Sequence, residues 1–428
     1  PFSAAGGSYL AWRGLMQVSS YGPWSRAGES ESNEDAQERR RLDEDDEDGP
    51  TPGCGGFVDV LKGQPILASF LVFIPMGFIS HFLGWSKAWV FFCNFFAILP
   101  MAWLIGKSTE DLAAHTGEAI GGLLNATFGN VVEMLLCVNG IRYNQLPVVQ
   151  CTLVGSILSN LLLVMGTSFL WGGYKHPPTQ KYSVVGAGAQ SSLMLLAVLS
   201  ILLPTMYSSL VAGEQAILAI SRGCSVLLFL TYLQYLFFQL YTHKKLFESP
   251  ADDEEEEEEQ PDMDGMTSTC VLATCTILTM FCSEYLIGSI EGTITAWHVS
   301  KEFIGIVVLP IIGNAAEHYT AIIVAGQNKM DLSLGVAVGS SCQMALLVTP
   351  FTVLVGWCLD KDVSLNFHPF QATVLLLAVL ITANVLKDGE SNWLEGSMLV
   401  TAYVAIAMIY FFEYNASAST QYLGVSRL

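Results

Sequence analysis

Hydrophobic positions along the chain gather into long blocks separated by short polar connections. Runs of roughly 20 apolar residues, the length needed to cross a bilayer core, recur about eleven times. They fall near 64–83, 85–106, 117–140, 147–171, 183–208, 212–241, 266–288, 302–327, 331–358, 367–387 and 392–412. This pattern predicts an all-α polytopic membrane protein with about 11 transmembrane helices, whose partner is the lipid bilayer itself.

Two of the blocks share a pentapeptide. "GNVVE" runs from Gly129 to Glu133, and "GNAAE" runs from Gly313 to Glu317, an offset of 184 residues. The same offset places Ile120-Gly121 on Ile304-Gly305, Val154-Gly155-Ser156 on Val338-Gly339-Ser340, and Leu162-Leu163-Val164 on Leu346-Leu347-Val348, without a gap. Register held over so many flanking residues indicates a duplicated structural unit. The motifs sit in the third and eighth blocks, five crossings apart, so they enter the membrane from opposite faces. That is the inverted-repeat arrangement of secondary transporters, whose substrate site lies near the midplane between halves. The expected organisation is an acidic, disordered cytosolic tail over 1–63, a peripheral first helix over 64–84, a five-helix repeat over 85–246, an acidic cytosolic linker over 247–265, and a second five-helix repeat over 266–428.

Basic residues set the orientation. Arg39, Arg40, Arg41, Lys62, Lys107, Lys175, Lys181, Lys244, Lys245, Lys329 and Lys387 fall on one side of this topology, against Lys87, Arg142, Lys301, Lys361 and Arg427 on the other. The positive-inside rule then puts the N-terminus in the cytosol.

Composition agrees with a membrane class: 52% of residues are hydrophobic, 14% are charged, and the mean hydropathy is +0.45. The net charge of −20 is confined to appendages, because residues up to Lys62 hold twelve acids against six bases, and Glu248 to Asp264 hold eleven acids and no base. The remainder is nearly neutral, and no nucleic-acid partner is expected. Ten cysteines stand mostly singly in apolar runs, with no CxxC pair. They read as small membrane-core residues and not as a disulfide framework. The acidic run Asp252, Asp253, Glu254, Glu255, Glu256, Glu257, Glu258 and Glu259 admits two readings, a solvated linker or a low-selectivity collector of divalent cations.

An ionisable side chain in the middle of a membrane helix costs roughly 2.5–3.5 kcal/mol or more, which marks Glu133 and Glu317 as functional candidates. In each motif the glycine, Gly129 or Gly313, loosens the helix and exposes backbone carbonyls, while Asn130 or Asn314 offers a neutral oxygen. Two facing carboxylates with carbonyl and amide oxygens make a hard, all-oxygen cage suited to Ca2+. The alternative is that a glutamate pairs with a base, yet Arg222 is nearly alone inside the blocks, and His318 is the nearest local partner. Glu110, Asp111, His115 and Glu118 lie on the approach to the third block, where Asp111 and Glu118 read as solvated loop residues. Glu110 and, in the seventh block, Glu284 are candidates for proton relay. Ser156, Ser340 and Gln343, one block after each motif, are candidate lining oxygens, although Gly-Ser pairs are equally ordinary packing interfaces.

With "GGLLNATFGNVVE", "VGSILSNLLLVMGTS", "VLPIIGNAAEH" and "DLSLGVAVGSSCQ", preceded by "STEDLA", the chain resembles the cation/proton exchangers of the calcium/cation antiporter superfamily, the vacuolar type of fungi, plants and protists. The resemblance spans about Ser108 to Glu413. It implies one dispensable first helix followed by a five-plus-five inverted core, with calcium held between Glu133 and Glu317 and with backbone oxygens near Gly129 and Gly313 as co-ligands. It also implies that Glu110, His318 and Gln343 take part in proton or ion passage, and that the acidic run is a cytosolic calcium-binding element. Val131 departs from the small residue or Thr usual there, which bears on cation selectivity.

The expectation is therefore a secondary antiporter, not an enzyme and without a cofactor, exchanging cytosolic Ca2+ for H+ across a vacuolar or other acidic-organelle membrane. No HExxH, GxGD-type pair or Ser/His dyad suggests hydrolysis. A Na+- or K+-coupled Ca2+ exchanger and a cation channel are the alternatives. Selectivity among Ca2+ and other divalent cations, and a monomeric or homo-oligomeric state, are left open by the residues.

Overall fold

Among the described residues, helices cover the apolar blocks. The computed structural model describes residues 54–210, 213–243 and 261–422; the acidic run Asp252 to Glu259 and most of the expected N-terminal tail lie outside the described residues. Helix α1 spans Cys54–Gly63 and α2 Pro65–Phe82, followed by α3 (Lys87–Thr116), α4 (Glu118–Phe128), α5 (Val131–Arg142), α6 (Leu146–Lys175), α7 (Val184–Ser208) and α8 (Glu214–Thr242). The second half comprises α9 (Gly265–Ile287), α10 (Ile290–Trp297), α11 (Lys301–Gly313), α12 (Ala315–Gly326), α13 (Met330–Cys358), α14 (Pro369–Val385) and α15 (Trp393–Tyr422). The fold is all-α except for a two-residue antiparallel pairing of β1 (Gln180–Lys181) with β2 (Glu390–Ser391), which ties a connection of the first half to one of the second.

Among the described residues, eight helices are long and apolar enough to span a bilayer singly. The other three expected spans fall short for identifiable reasons. The third is interrupted between Phe128 and Val131, the eighth between Gly313 and Ala315, and α14 has only 17 residues. Both interruptions are the Gly-Asn motifs, where Asn130 and Asn314 leave helical backbone geometry. One further bend, of 115°, separates α10 from α11.

Two boundaries differ from the sequence expectation. Residues 54–63, assigned to the tail, form a helix. The second span also runs ten residues beyond its expected end at 106, because Lys107 to Thr116 contain no breaker, and it stops only where Gly117 takes a φ of +82°. Asp111 is consequently a helix residue and not a loop residue. Start signals are local: Ser183 accepts from the Gly186 N–H and Asp264 from the Thr267 N–H, each capping the helix that follows.

Apolar packing is organised around the two motif-bearing regions. One core joins α6, α7, α13 and α14, with Phe169, Ile157 and Leu346 buried in it. The other joins α3, α9 and α11 through Ile98, Met101, Leu286 and Ile312. The outer faces stay apolar, as with Leu199 and Leu203 on α7 and Leu227 and Leu230 on α8. Exposed leucines on this scale suit a hydrocarbon solvent, in which every helix satisfies its own backbone.

Candidate cation site

Glu133 stands in the first turn of α5 and Glu317 in the first turn of α12, each just past a motif break. The breaks meet. A Cβ on Gly313 would fall 2.8 Å from Glu133 Oε1, so only glycine lets the carboxylate of the first motif lie on the backbone of the second. The two carboxylates are near enough for their charges to interact.

Neutral side chains frame the pair and cross between halves. Asn130 donates its amide to Gln343 Oε1, and Asn314 donates to the Ser156 carbonyl at 3.1 Å. Asn160 donates to the Ser340 hydroxyl at 2.9 Å, and Ser340 in turn reaches the Glu317 carboxylate. Both asparagines thus spend their N–H groups on the neighbouring segment. Their Oδ1 atoms, both carboxylate oxygens of Glu133, Glu317 Oε2 and Ser156 Oγ are buried without a hydrogen-bond partner. Such a collection of acceptors is costly to bury alone and is what a hard cation requires.

No ion pair among the described residues joins either glutamate to a base. Arg222 instead lies over the Trp357 ring at 4.9 Å. Among the described residues there is also no cluster of three or more His, Cys, Asp and Glu side chains able to hold a metal. With two carboxylates present, further ligands to a cation at this place must be neutral oxygens.

A cavity of about 360 Å³ leads to Glu317 from one end of the bundle. Glu110, Asn125, Gln190, Asp331 and Gln343 are among its walls, as are Gly129 and Gly313. Glu133 is fully buried, whereas Glu317 is only partly so and faces this vestibule.

The structure redistributes several residues singled out from sequence. Gln343 and Ser156 are at the motifs, and Glu110 is in the vestibule wall. His318 turns away from Glu317: its Nε2 lies 3.0 Å from Thr167 Oγ1 on α6, because successive helix positions point about 100° apart. Glu284 lies outside the site, at the far end of α5, with the Tyr143 hydroxyl at 3.3 Å and Arg142 at 4.0 Å. Nine residues of helix separate Glu133 from Arg142, roughly 13 Å of rise. Asp111, expected in solvent, is buried: it pairs with Lys107 at 3.1 Å and accepts the Met263 N–H at 3.2 Å. Lys107 also binds Asp262 at 2.6 Å, fastening the end of the acidic linker to α3. Glu118 has no described side chain. Asn160 and Gln190 were missed; each is an isolated amide in an apolar run, the one signal that marked them.

Residues 86–241 and 267–412 match the family model described as sodium/calcium exchanger protein. The chain belongs to that family. Among curated relatives, it is 39% identical over 347 residues to the vacuolar calcium ion transporter of Schizosaccharomyces pombe, covering 80% of this chain and 84% of that one. It is 40% identical over 366 residues to the vacuolar cation/proton exchanger 1b of Oryza sativa subsp. japonica, covering 82% and 81%. Among solved structures, the Ca2+/H+ antiporter protein YfkE superposes with a TM-score of 0.71 at 32% identity, over 82% of this chain and 100% of that one. The H+/Ca2+ exchanger CAX, at 12% identity and a TM-score of 0.63, shares the fold. The chain is thus an integral membrane transporter with an all-α fold.

Proposed function

We propose that this transporter exchanges Ca2+ for H+, with Glu133 and Glu317 as the shared binding carboxylates. The observation that supports this best is the state of Glu133: a fully buried carboxylate, without base or donor, packed on the second motif. Two such acids in low dielectric must be neutralised before the site can cross between faces, and either one divalent cation or protons will do so. Competition between the two is the coupling. Calcium bound from one side is displaced by acid on the other, and the empty charged site switches poorly.

Asn130, Asn314, Ser156, Ser340 and the backbone near Gly129 and Gly313 supply neutral oxygens in this reading. Gln343 holds Asn130 in place, and Glu110 stands on the entry path. The basic bias supports a vestibule on the cytosolic side and an N-terminus in the cytosol. The names of the relatives support a vacuolar or other acidic-organelle membrane, and the acidic run would supply divalent cations near the entry. Coupling to Na+ is the second reading, favoured by the family's own description. Calcium uptake into vesicles under an imposed pH gradient separates them. Uptake that collapses with the pH gradient and ignores a sodium gradient is expected; the reverse dependence refutes proton coupling.

A further inference from the structure

Arg222 takes no part in the cation site, yet it stands well inside a membrane helix. Eight residues of α8 separate it from the helix start at Glu214, about 12 Å of rise. Tyr235 and Gln239, farther along α8, line the vestibule, so Arg222 belongs to the opposite leaflet. The connection from α13 to α14 packs at the same level: Ser221 Oγ accepts the Leu365 N–H at 3.0 Å, and Thr205 on α7 donates to the Leu365 carbonyl at 3.0 Å. A polar connection at this height marks the boundary between hydrocarbon and headgroups.

Arg222 also belongs to the outward face of its helix. Val226, Leu227 and Leu230, one and two turns on, are 42%, 65% and 49% exposed and form an apolar stripe turned to lipid. Ser221, Ser225 and Leu228 make the buried face instead. Beside the arginine the outward face is low, since Ala219 and Gly223 are exposed there and a Cβ on Gly223 would meet nothing within 4 Å. Trp357, half exposed at the end of α13, bounds the guanidinium on one side, with its ring centre 4.9 Å from the guanidinium carbon.

Arginines at membrane depth ordinarily turn inward and pair with an acid or a backbone carbonyl. Arg222 does neither. Among the described residues no ion pair or hydrogen bond reaches its guanidinium, and Nε is buried without a partner. Asp360 and Asp362 follow Trp357 in the adjoining connection, and neither pairs with it. The cation–π contact occupies one face of the guanidinium and none of its five N–H donors. Those donors lie in the plane of the fork, the geometry that takes a phosphate through two parallel hydrogen bonds.

We propose that Arg222 and Trp357 form a binding site for the phosphate of an anionic phospholipid in the leaflet opposite the vestibule. A bilayer supplies one anionic group at the headgroup boundary, the lipid phosphate, and the long arginine stem carries the charge up to it. The tryptophan sits where an amphipathic ring is stable, with one edge in hydrocarbon and the other among headgroups. Gly223 lets the lipid lie against α8, and its acyl chain follows the stripe from Val226 to Leu230. The bound lipid braces α8 against the end of α13, the helix that carries Ser340 and Gln343, without reaching the cation. The site is independent of which ion is coupled to calcium.

Native mass spectrometry of the full chain, released from bilayer discs of equimolar phosphatidylglycerol and phosphatidylcholine, tests the site by counting retained lipids. The unmodified chain should retain phosphatidylglycerol in preference to phosphatidylcholine. Arg222→Gln should lower the retained phosphatidylglycerol at least about fivefold, the effect of one basic residue at a membrane surface, and leave phosphatidylcholine unchanged. Arg222→Lys keeps the charge without the fork and should fall between the two. Arg142→Gln, whose arginine already has Glu284 at 4.0 Å, should match the unmodified chain. Gly223→Leu keeps the arginine and fills the open space beside it, so it should also lose phosphatidylglycerol; it decides the matter alone if Arg222→Gln does not insert. Undiminished phosphatidylglycerol in these variants, or equal loss of both lipids, overturns the site. Displacement of the lipid by inorganic phosphate would reassign the arginine to a soluble anion and overturn it as well.

Discussion

The two Gly-Asn-x-x-Glu motifs are nearly identical in sequence and differ in circumstance. Glu133 is sealed against Gly313, with both oxygens unpartnered, while Glu317 looks into a vestibule and has Ser340 beside it. The same inequality runs outward along each half: Gly155 and Gly305 touch the facing helix, and Gly339 and Gly121 do not touch each other. Equal sequences in unequal surroundings are what a single conformation of an inverted repeat must show, since access to both faces at once would be a leak. On the proposed exchange mechanism, the difference between the motifs is one of state and not a division of labour between the glutamates.

The largest effect expected is common to both motifs. Glu133→Gln and Glu317→Gln should each lower proton-driven calcium uptake by about 100-fold or more, because Gln retains an oxygen but loses the charge that balances a divalent cation in low dielectric. Uptake per inserted protein measures this, and near-normal uptake by either variant breaks the pairing. The same variants sharpen the contrast in stability. Removing the enclosed, unpartnered carboxylate should stabilise the calcium-free protein by about 1–3 kcal/mol in Glu133→Gln, and less in the partly open Glu317→Gln. Thermal unfolding in detergent reads the difference.

Next in size is Gly313→Ala, whose methyl would displace the Glu133 carboxylate. Apparent calcium affinity should fall about tenfold, equivalent to about 1.4 kcal/mol. Gly129→Ala meets the Asn125 carbonyl at 2.6 Å instead of a carboxylate, so its cost should appear in protein level with calcium affinity less changed. Gln343→Ala, which frees the Asn130 amide, should weaken calcium about fivefold, the worth of one buried hydrogen bond near 1 kcal/mol. The smallest effect belongs to His318→Ala. With its ring bonded to Thr167, its loss should reduce stability by about 1 kcal/mol and leave the pH profile of uptake unchanged; Thr167→Val should behave alike. A displaced pH profile in His318→Ala alone would return the imidazole to the proton path.

Much of this arrangement was legible in the residues, and what was not has physical reasons. The apolar blocks located most of the long helices, since hydrocarbon thickness fixes their length, and the repeated pentapeptide located the place where the two motifs meet. The apolar pattern ended α3 ten residues early, however, because the polar stretch from Lys107 to Thr116 imitates a loop although it holds no helix breaker. It gave no hint that Asp111 is buried, since the Met263 N–H that it accepts lies 152 positions away. Adjacency in sequence suggested that His318 would serve Glu317, whereas helix geometry turns neighbouring side chains apart and brings Thr167 to the ring. Glu284 is an acid in an apolar run, as the site residues are, but it stands near the end of α9, beside Arg142 at the far end of α5. The asymmetry between motifs was out of reach altogether, because a repeat carries the symmetry of two states and a conformation shows one.

Equilibrium calcium binding by the purified chain, compared with Glu133→Gln, Glu317→Gln and the double variant, tests most directly whether the two motifs form one site. If they do, each single variant loses binding as completely as the double one, and binding by the unmodified chain weakens as pH falls, because protons and calcium neutralise the same carboxylates. Retention of calcium by either single variant within about threefold of the unmodified affinity, a difference of less than about 0.7 kcal/mol, would contradict the shared site.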